Sequence, residues 1–354
     1  MIQTDSVRTT PVTGPSVWLS ADIESDRSWI VELSPADRAE ALAALADVNR
    51  MGVARDEIGP ETFRLPGFAR RLDAIIDRIE GGPGFALLRN VPIEGLELAD
   101  VERLFWGIVS HMGYPEPQDA SGKRLHHVRA EQSFADEAEA RTAFRSSNIR
   151  GYQTNVELQF HGDGSDALFF LCRNAGKSGG HSRIVSAGAA FNAVLARDPG
   201  LALVLQREFY FDTRGELGPE RPVQAVPIFA EHRGLLNILH KRGYIDLAQA
   251  MPGVPRLTAQ QVAALDALDA ALNDPAHFFE FVMVPGDLQI ANNYTVLHAR
   301  TAFEDHVEPE RRRHMLRIWA TMRRKRRSLP PSFRTTREFM ASQRRREELG
   351  DDAR

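Results

Sequence analysis

The 354-residue chain holds a single cysteine, Cys172, so no disulfide can form within it and a cysteine-built zinc site is disfavoured. That residue lies in the apolar run ALFFLC, where a buried, inert thiol is expected, and a reducing compartment suits it. Long apolar runs are also missing. No stretch reaches the ~20 residues that a membrane-spanning helix requires, and the opening MIQTDSVRTTPVTG lacks the apolar core of a secretion signal. A cytoplasmic protein with no membrane partner is the expectation. Net charge is low, at -4 with a pI near 6.3, which leaves no whole-molecule field to attract nucleic acid. Internal repeats and low-complexity tracts are absent.

The remaining composition, 43% hydrophobic and 26% charged, is that of a globular protein able to bury a sizeable core. One elaborated domain over residues 19–330 is expected, preceded by a flexible or surface-draped lead-in (1–18) and followed by a charged C-terminal tail or helix (331–354). Ser34 can cap a helix with Pro35 in its first turn, and Ala41, Leu42, Leu45 and Val48 recur at helical spacing until Gly52. Phe68, Leu72, Ile75, Ile76 and Ile79 predict a second helix over 66–80, and a third covers 98–112. GFALLRNVPI (84–93) predicts a buried strand. From Gly151 onward come short strand-like runs: VELQFHGD, ALFFLC, SRIVSA, EFYFD, FFEFVMV, LQIANN and HMLRIWATM. Helices interrupt them near 189–196 and after Thr258, whose capping partner is Gln261. The fold class is therefore mainly β with helical additions, a barrel or sandwich.

Three residues carry the chemistry. On an extended strand His161 and Asp163 of LQFHGDG would point to one face, where both could reach one metal ion. Alone, such a pair is commonly a hydrogen-bonded surface feature. Far downstream, NNYTVLHAR places His298 at the end of another strand-like run. Two histidines and a carboxylate on a β scaffold match the facial triad of non-haem Fe(II) sites, although a hydrolytic zinc site could use the same ligands. Arg313 and Arg317 in RRHMLRIWATM share a strand face with Cα atoms roughly 13 Å apart, so they serve different ends. One guanidinium can clamp a distal carboxylate while the other reaches toward the metal or a second anion.

The ordered set HGD, GGHS, PGDLQIANNYTVLHAR and RRHMLR resembles the TauD/TfdA group of Fe(II)/2-oxoglutarate dioxygenases, including its clavaminate synthase-like members. The resemblance covers about 84–322 and implies a jelly-roll core, with His161, Asp163 and His298 binding iron. It further implies that Arg313 and Ser182 hold the far carboxylate of 2-oxoglutarate, with Arg317 near the co-substrate or an anionic group of the substrate. Gly162 departs from the Thr or Ser common between the first two ligands. The implied reaction consumes O2 and 2-oxoglutarate, releases succinate and CO2, and oxidises a C–H bond of the substrate. Because Asp163 is present, hydroxylation or a related oxidation is favoured over chlorination.

Asn155 and Glu157, on the strand face of His161, and Asn293 and Arg317 near the other segments are the candidate substrate contacts. They favour a small, polar, amino-acid-like molecule. Three alternatives stand beside this reading: a non-catalytic metal-binding barrel, a zinc hydrolase with the same ligands, and nucleic-acid binding through the runs at 311–313, 323–327 and 344–346. Oligomeric state is left open, since no helical face compels a partner.

Overall fold

The computed structural model describes residues 6–146 and 149–350. The N-terminal helices form where capping chemistry and apolar spacing agree. Pro35–Met51 starts at Ser34, whose hydroxyl accepts from the Asp37 amide, and stops at Gly52 in the left-handed conformation, φ 66°. Phe68–Gly81 and Leu98–Met112 follow, and all three helices pack on the outer face of a seven-stranded sheet.

That sheet runs Ile30–Glu32, Phe85–Arg89, Leu288–Asn292, Ala167–Asn174, His314–Met322 and Gly113–Glu116, with Leu125–Val128 also pairing to His314–Met322. A second sheet orders Phe278–Phe281, Ser182–Ser186, Val296–Arg300 and Leu158–His161, all antiparallel. The two sheets face one another as a jelly roll, and the period of two divides their side chains. Phe85 and Leu87 point inward while Ala86 and Leu88 meet the N-terminal helices; Ile184 points inward while Val185 meets helices Ala187–Arg197 and Ala259–Leu272. Trp18 and Trp29 plug the interior against Phe85, with ring centroids 5.5 and 5.4 Å away. Cys172 is fully buried there, and burial pushes its thiol up to about 12, as an inert role requires.

The ends of the described chain are tied down. Residues 6–17 drape over the surface, where the Ser6 amide donates to the Glu231 carbonyl and the Val12 amide to Asn192 Oδ1. Beyond residue 330 the chain packs into the protein. Phe333 and Phe339 stack at 5.5 Å, and Arg346 of helix Met340–Leu349 pairs with buried Asp166 at 2.6 Å. Part of the basic run at 323–327 is engaged within the chain: Arg324 meets Asp73 and Asp77, and Arg327 is buried beside Glu80.

Burial raises the carboxyl groups of Glu80 and Glu116 to about 7 each. Because these folded-state values lie above the unfolded ones, the native protein binds the extra protons. Their contribution is fully present below about pH 4.5 and is lost as pH rises through about 7. Thermal midpoints should therefore fall across that window, and Glu80→Gln, which removes one of the two titrations, should flatten the fall.

Candidate active site

The site lies at one end of the interior, where Val296–Arg300 pairs with Leu158–His161 and sets His298 opposite His161, ring centroids 4.3 Å apart. The strand ends at His161. It does not run on through Asp163, because the Gly162 amide turns to donate to the His240 carbonyl at 3.0 Å and His161 forms a bridge with Lys241. The same-face strand argument thus covers only the first member of the His-x-Asp pair, and Asp163 enters from the bend that follows. That bend needs its glycine. A Cβ on Gly164 would lie 2.6 Å from the Glu338 carbonyl oxygen and 2.9 Å from the Trp319 ring.

One donor atom from each of His161, Asp163 and His298 lies within 4.8 Å of the others, and His298 Nε2 is 3.8 Å from Asp163 Oδ2. The Nδ1 of His161 sits 2.8 Å from the Gln159 carbonyl, which can only accept, so the proton is on Nδ1 and Nε2 keeps its lone pair for a ligand. Burial lowers both imidazoles, His298 most strongly. Burial alone would raise Asp163, but Arg317, His298, Lys241 and His161 together hold its carboxyl well below the usual range. Two neutral imidazoles and one carboxylate are the states a divalent cation requires, so the donor set fits such an ion.

Arg317 Nη1 is 3.1 Å from Asp163 Oδ2 and the Trp319 indole donates to the same oxygen at 2.9 Å. Gln118 Oε1 accepts from Arg317 Nε at 2.7 Å, and Tyr152 and Trp319 lie against the guanidinium, 4.9 and 4.8 Å from ring centroid to Cζ. In this structure Arg317 orients the carboxylate donor, while it also lines both cavities described next.

A cavity of about 40 Å³ lies inside the barrel between His298, Ser182, Arg313 and Arg300. Alternation along Val296–Arg300 gives Arg300 the same face as His298, and sheet register sets Ser182 opposite Arg300. Both guanidinium groups flank the Phe303 ring, and Nη1 of each is buried with no hydrogen-bond partner among the described residues. The paired glycines make room for this. Gly180 sits at φ +69°, and a Cβ there would approach Arg313 Nε to 2.8 Å. Arg300 was not singled out from sequence, although its place two residues after His298 was a usable signal.

The larger cavity, about 470 Å³, opens on the other side of the triad and is reached by His161, Asp163, Arg317 and Trp319. Glu157 lines it, but its carboxylate is paired with Arg183 at 2.8 Å. Asn155 and Asn293 line neither cavity. Asn155 exchanges hydrogen bonds with the backbone of Phe134, and Asn293 donates to the carbonyls of Gly164 and Ser165, 3.1 Å each, securing the bend after Asp163. Sequence reasoning missed Arg150, Lys241, Tyr244 and Arg337, which line this cavity from distant segments, Tyr244 from helix Arg242–Ala248.

The family model described as Taurine catabolism dioxygenase TauD, TfdA family matches residues 47–319. FR-33289 synthase of Streptomyces rubellomurinus is 30% identical over 92% of this chain and 95% of its own length. The taurine hydroxylase-like protein SAT17 of Stachybotrys chartarum is 28% identical over 85% of this chain and 77% of its own. Among solved structures, asparagine oxygenase with Fe(II), 2S,3S-3-hydroxyasparagine and succinate superposes with a TM-score of 0.64 at 16% identity, covering 83% of this chain and 93% of that one. The non-heme iron oxygenase OrfP with Fe and alpha-ketoglutaric acid gives 0.60 at 14%, covering 82% and 94%. These structural likenesses show a shared fold.

Proposed function

The chain belongs to the TauD/TfdA dioxygenase family, and from that premise we propose that it is an Fe(II)- and 2-oxoglutarate-dependent oxygenase that hydroxylates an unactivated C–H bond of a small, polar, amino-acid-like substrate. The observation that carries this reading is the adjacency of the converging triad to a buried cavity holding two guanidinium groups with unpaired Nη1 atoms. A zinc hydrolase needs the donors but has no use for such a cavity; a dicarboxylic co-substrate reaching past the metal does.

Iron held by His161, Asp163 and His298 would bind 2-oxoglutarate and activate O2 as the oxidant of the C–H bond. The chain's own part is positioning. Arg313, aided by Ser182, would take the far carboxylate of the co-substrate, with Arg300 adding a second positive charge at the same end. Arg317 and the Trp319 indole keep the Asp163 carboxylate ionised and aimed at the ligand position. Phe170, whose ring centroid lies 5.8 Å from that of His298, and Val128 help wall the smaller cavity with apolar surface. The molecules bound in the structural relatives, 2S,3S-3-hydroxyasparagine and (3S)-hydroxy-L-Arg, favour an amino-acid-like molecule in the larger cavity. Among the described residues no helix is long and apolar enough to cross a membrane. A cytoplasmic enzyme of specialised metabolism is our reading.

Anaerobic addition of Fe(II) and then 2-oxoglutarate should produce the weak visible charge-transfer band of the chelate. Absence of the band in iron-loaded protein would end the oxygenase reading. In the same titration Arg313→Met should weaken 2-oxoglutarate about 10- to 100-fold, the range for losing one or two charge-assisted hydrogen bonds.

A further inference from the structure

The charged groups lining the larger cavity are almost all paired with one another. Arg242 meets Asp246, Asp266 and Asp269, at 3.2 Å from Asp246 and 3.3 Å from Asp266. Glu216 is shared by Arg150, at 2.7 Å, and Arg337, at 2.5 Å. Asp163 takes Arg317, and Glu157 takes Arg183. Among the cations lining the cavity, Lys241 is the exception. Its side chain is 9% exposed, and its ion pair is a long one: Glu338 Oε1 is 3.9 Å from Nζ, beyond hydrogen-bond reach. Glu338 is already served by Gln224 Nε2 at 2.6 Å and Arg337 Nη1 at 3.3 Å. The ammonium rests instead against two rings, 5.3 Å from the centroid of Tyr244 and 5.8 Å from that of Trp319.

Its position is as telling as the looseness of its pairing with Glu338. The Lys241 backbone bridges that of His161, so the side chain starts about 5 Å, one strand spacing, from a metal donor. Trp319 lies against Arg317 as well as Lys241 and donates to Asp163, which links the ammonium to the triad through one indole. A nearly buried ammonium whose ion pair is too long for a hydrogen bond gains from an acceptor that a ligand in the cavity can supply.

We propose that Lys241 anchors an oxyanion of the prime substrate, in a subsite distinct from the co-substrate pocket around Arg313, and thereby fixes which carbon faces the metal. This rests on the oxygenase reading above. The subsite selects substrates with one anionic group, planar carboxylate or tetrahedral oxyanion, a few bonds from the oxidised C–H. Arg337 and Glu338 shape it from outside the residues matched by the family model, which ends at 319.

Acetate and inorganic phosphate, titrated separately onto the anaerobic Fe(II)·2-oxoglutarate protein, test the subsite. Tryptophan fluorescence reports occupancy beside Trp319, and the charge-transfer band reports that the chelate stays intact. At least one anion should bind the wild type without disturbing the band. Lys241→Met should weaken it about ten-fold or more while Lys241→Arg, which keeps the charge, largely retains it. Tighter acetate marks a carboxylate substrate, and tighter phosphate a tetrahedral one. Equal affinity in Lys241→Met, or no anion bound by the wild type, overturns the proposal. So does loss of the chelate in both variants, which would make Lys241 a support of the metal site. If the wild type itself forms no chelate, the oxygenase reading fails before this one is reached.

Discussion

His161→Ala should abolish the 2-oxoglutarate charge-transfer band and succinate release together, with little change in thermal midpoint. The separation follows from how this side chain is held. Among the described residues its one side-chain hydrogen bond runs from Nδ1 to the nearby Gln159 carbonyl, and the strand is fixed by main-chain pairing to residues 298 and 300. Losing the imidazole removes one of three metal donors and little else. Asp163→Ala should behave differently, losing the metal and also stability. Arg317 and the Trp319 indole would be left buried without their acceptor, and stranding one member of a buried ion pair costs about 3–5 kcal/mol. Iron content, the visible spectrum and a melting curve for the two variants separate these outcomes. A His161 variant that keeps full iron affinity and the band would remove this residue from the donor set.

Asp166→Ala should cost the most stability of any change away from the metal, about 3–5 kcal/mol. Asp166 is 1% exposed and carries four connections. Arg346 lies at 2.6 Å, the Tyr294 hydroxyl donates at 2.7 Å, the Met322 amide donates at 2.9 Å, and the Asn293 amide donates to its carbonyl at 3.1 Å. Removing the carboxylate leaves Arg346 charged, buried and facing a phenol. Helix Met340–Leu349 should then loosen, so the variant should unfold at lower denaturant and should expose its C-terminal segment to protease before the barrel melts. Replacing Asp166 and Arg346 together by Leu and Met should recover part of the loss, since the pair's desolvation is removed with its attraction. A single Asp166→Ala variant with wild-type stability would show that the ion pair contributes nothing net.

Local signals carried well where structure is local. The helix at Pro35–Met51 was legible because its cap, its first-turn proline and its glycine stop lie within the segment itself. The barrel strands were legible because one face of each must be apolar, and the site segments because each sits at the end of such a run. Asp163 was placed on a strand from the period of two alone; its actual bend depends on the His240 carbonyl, which no spacing around residue 163 encodes. Asn293 shared the neighbourhood of His298, but its amide was drawn to backbone carbonyls left open by the bend. The C-terminal arginines look like solvated charge in a list of residues. Arg346 is buried only because Asp166, far earlier in the chain, is there to meet it. Lys241 had no local signature at all, since its setting comes from Glu338, Tyr244 and Trp319, two of them far away in the chain.

The packing of residues 333–346 sets an order of events during synthesis. All three proposed metal donors have been made by residue 298, whereas Arg337, Glu338 and Arg346 are made only after the last barrel strand, His314–Met322. Until then Asp166 has no counter-charge, and the larger cavity lacks the wall formed by Arg337. A chain that stops short of residue 333 therefore carries the proposed donors with one cavity wall missing and Asp166 without Arg346, and its open side should make it easier to digest than the full chain.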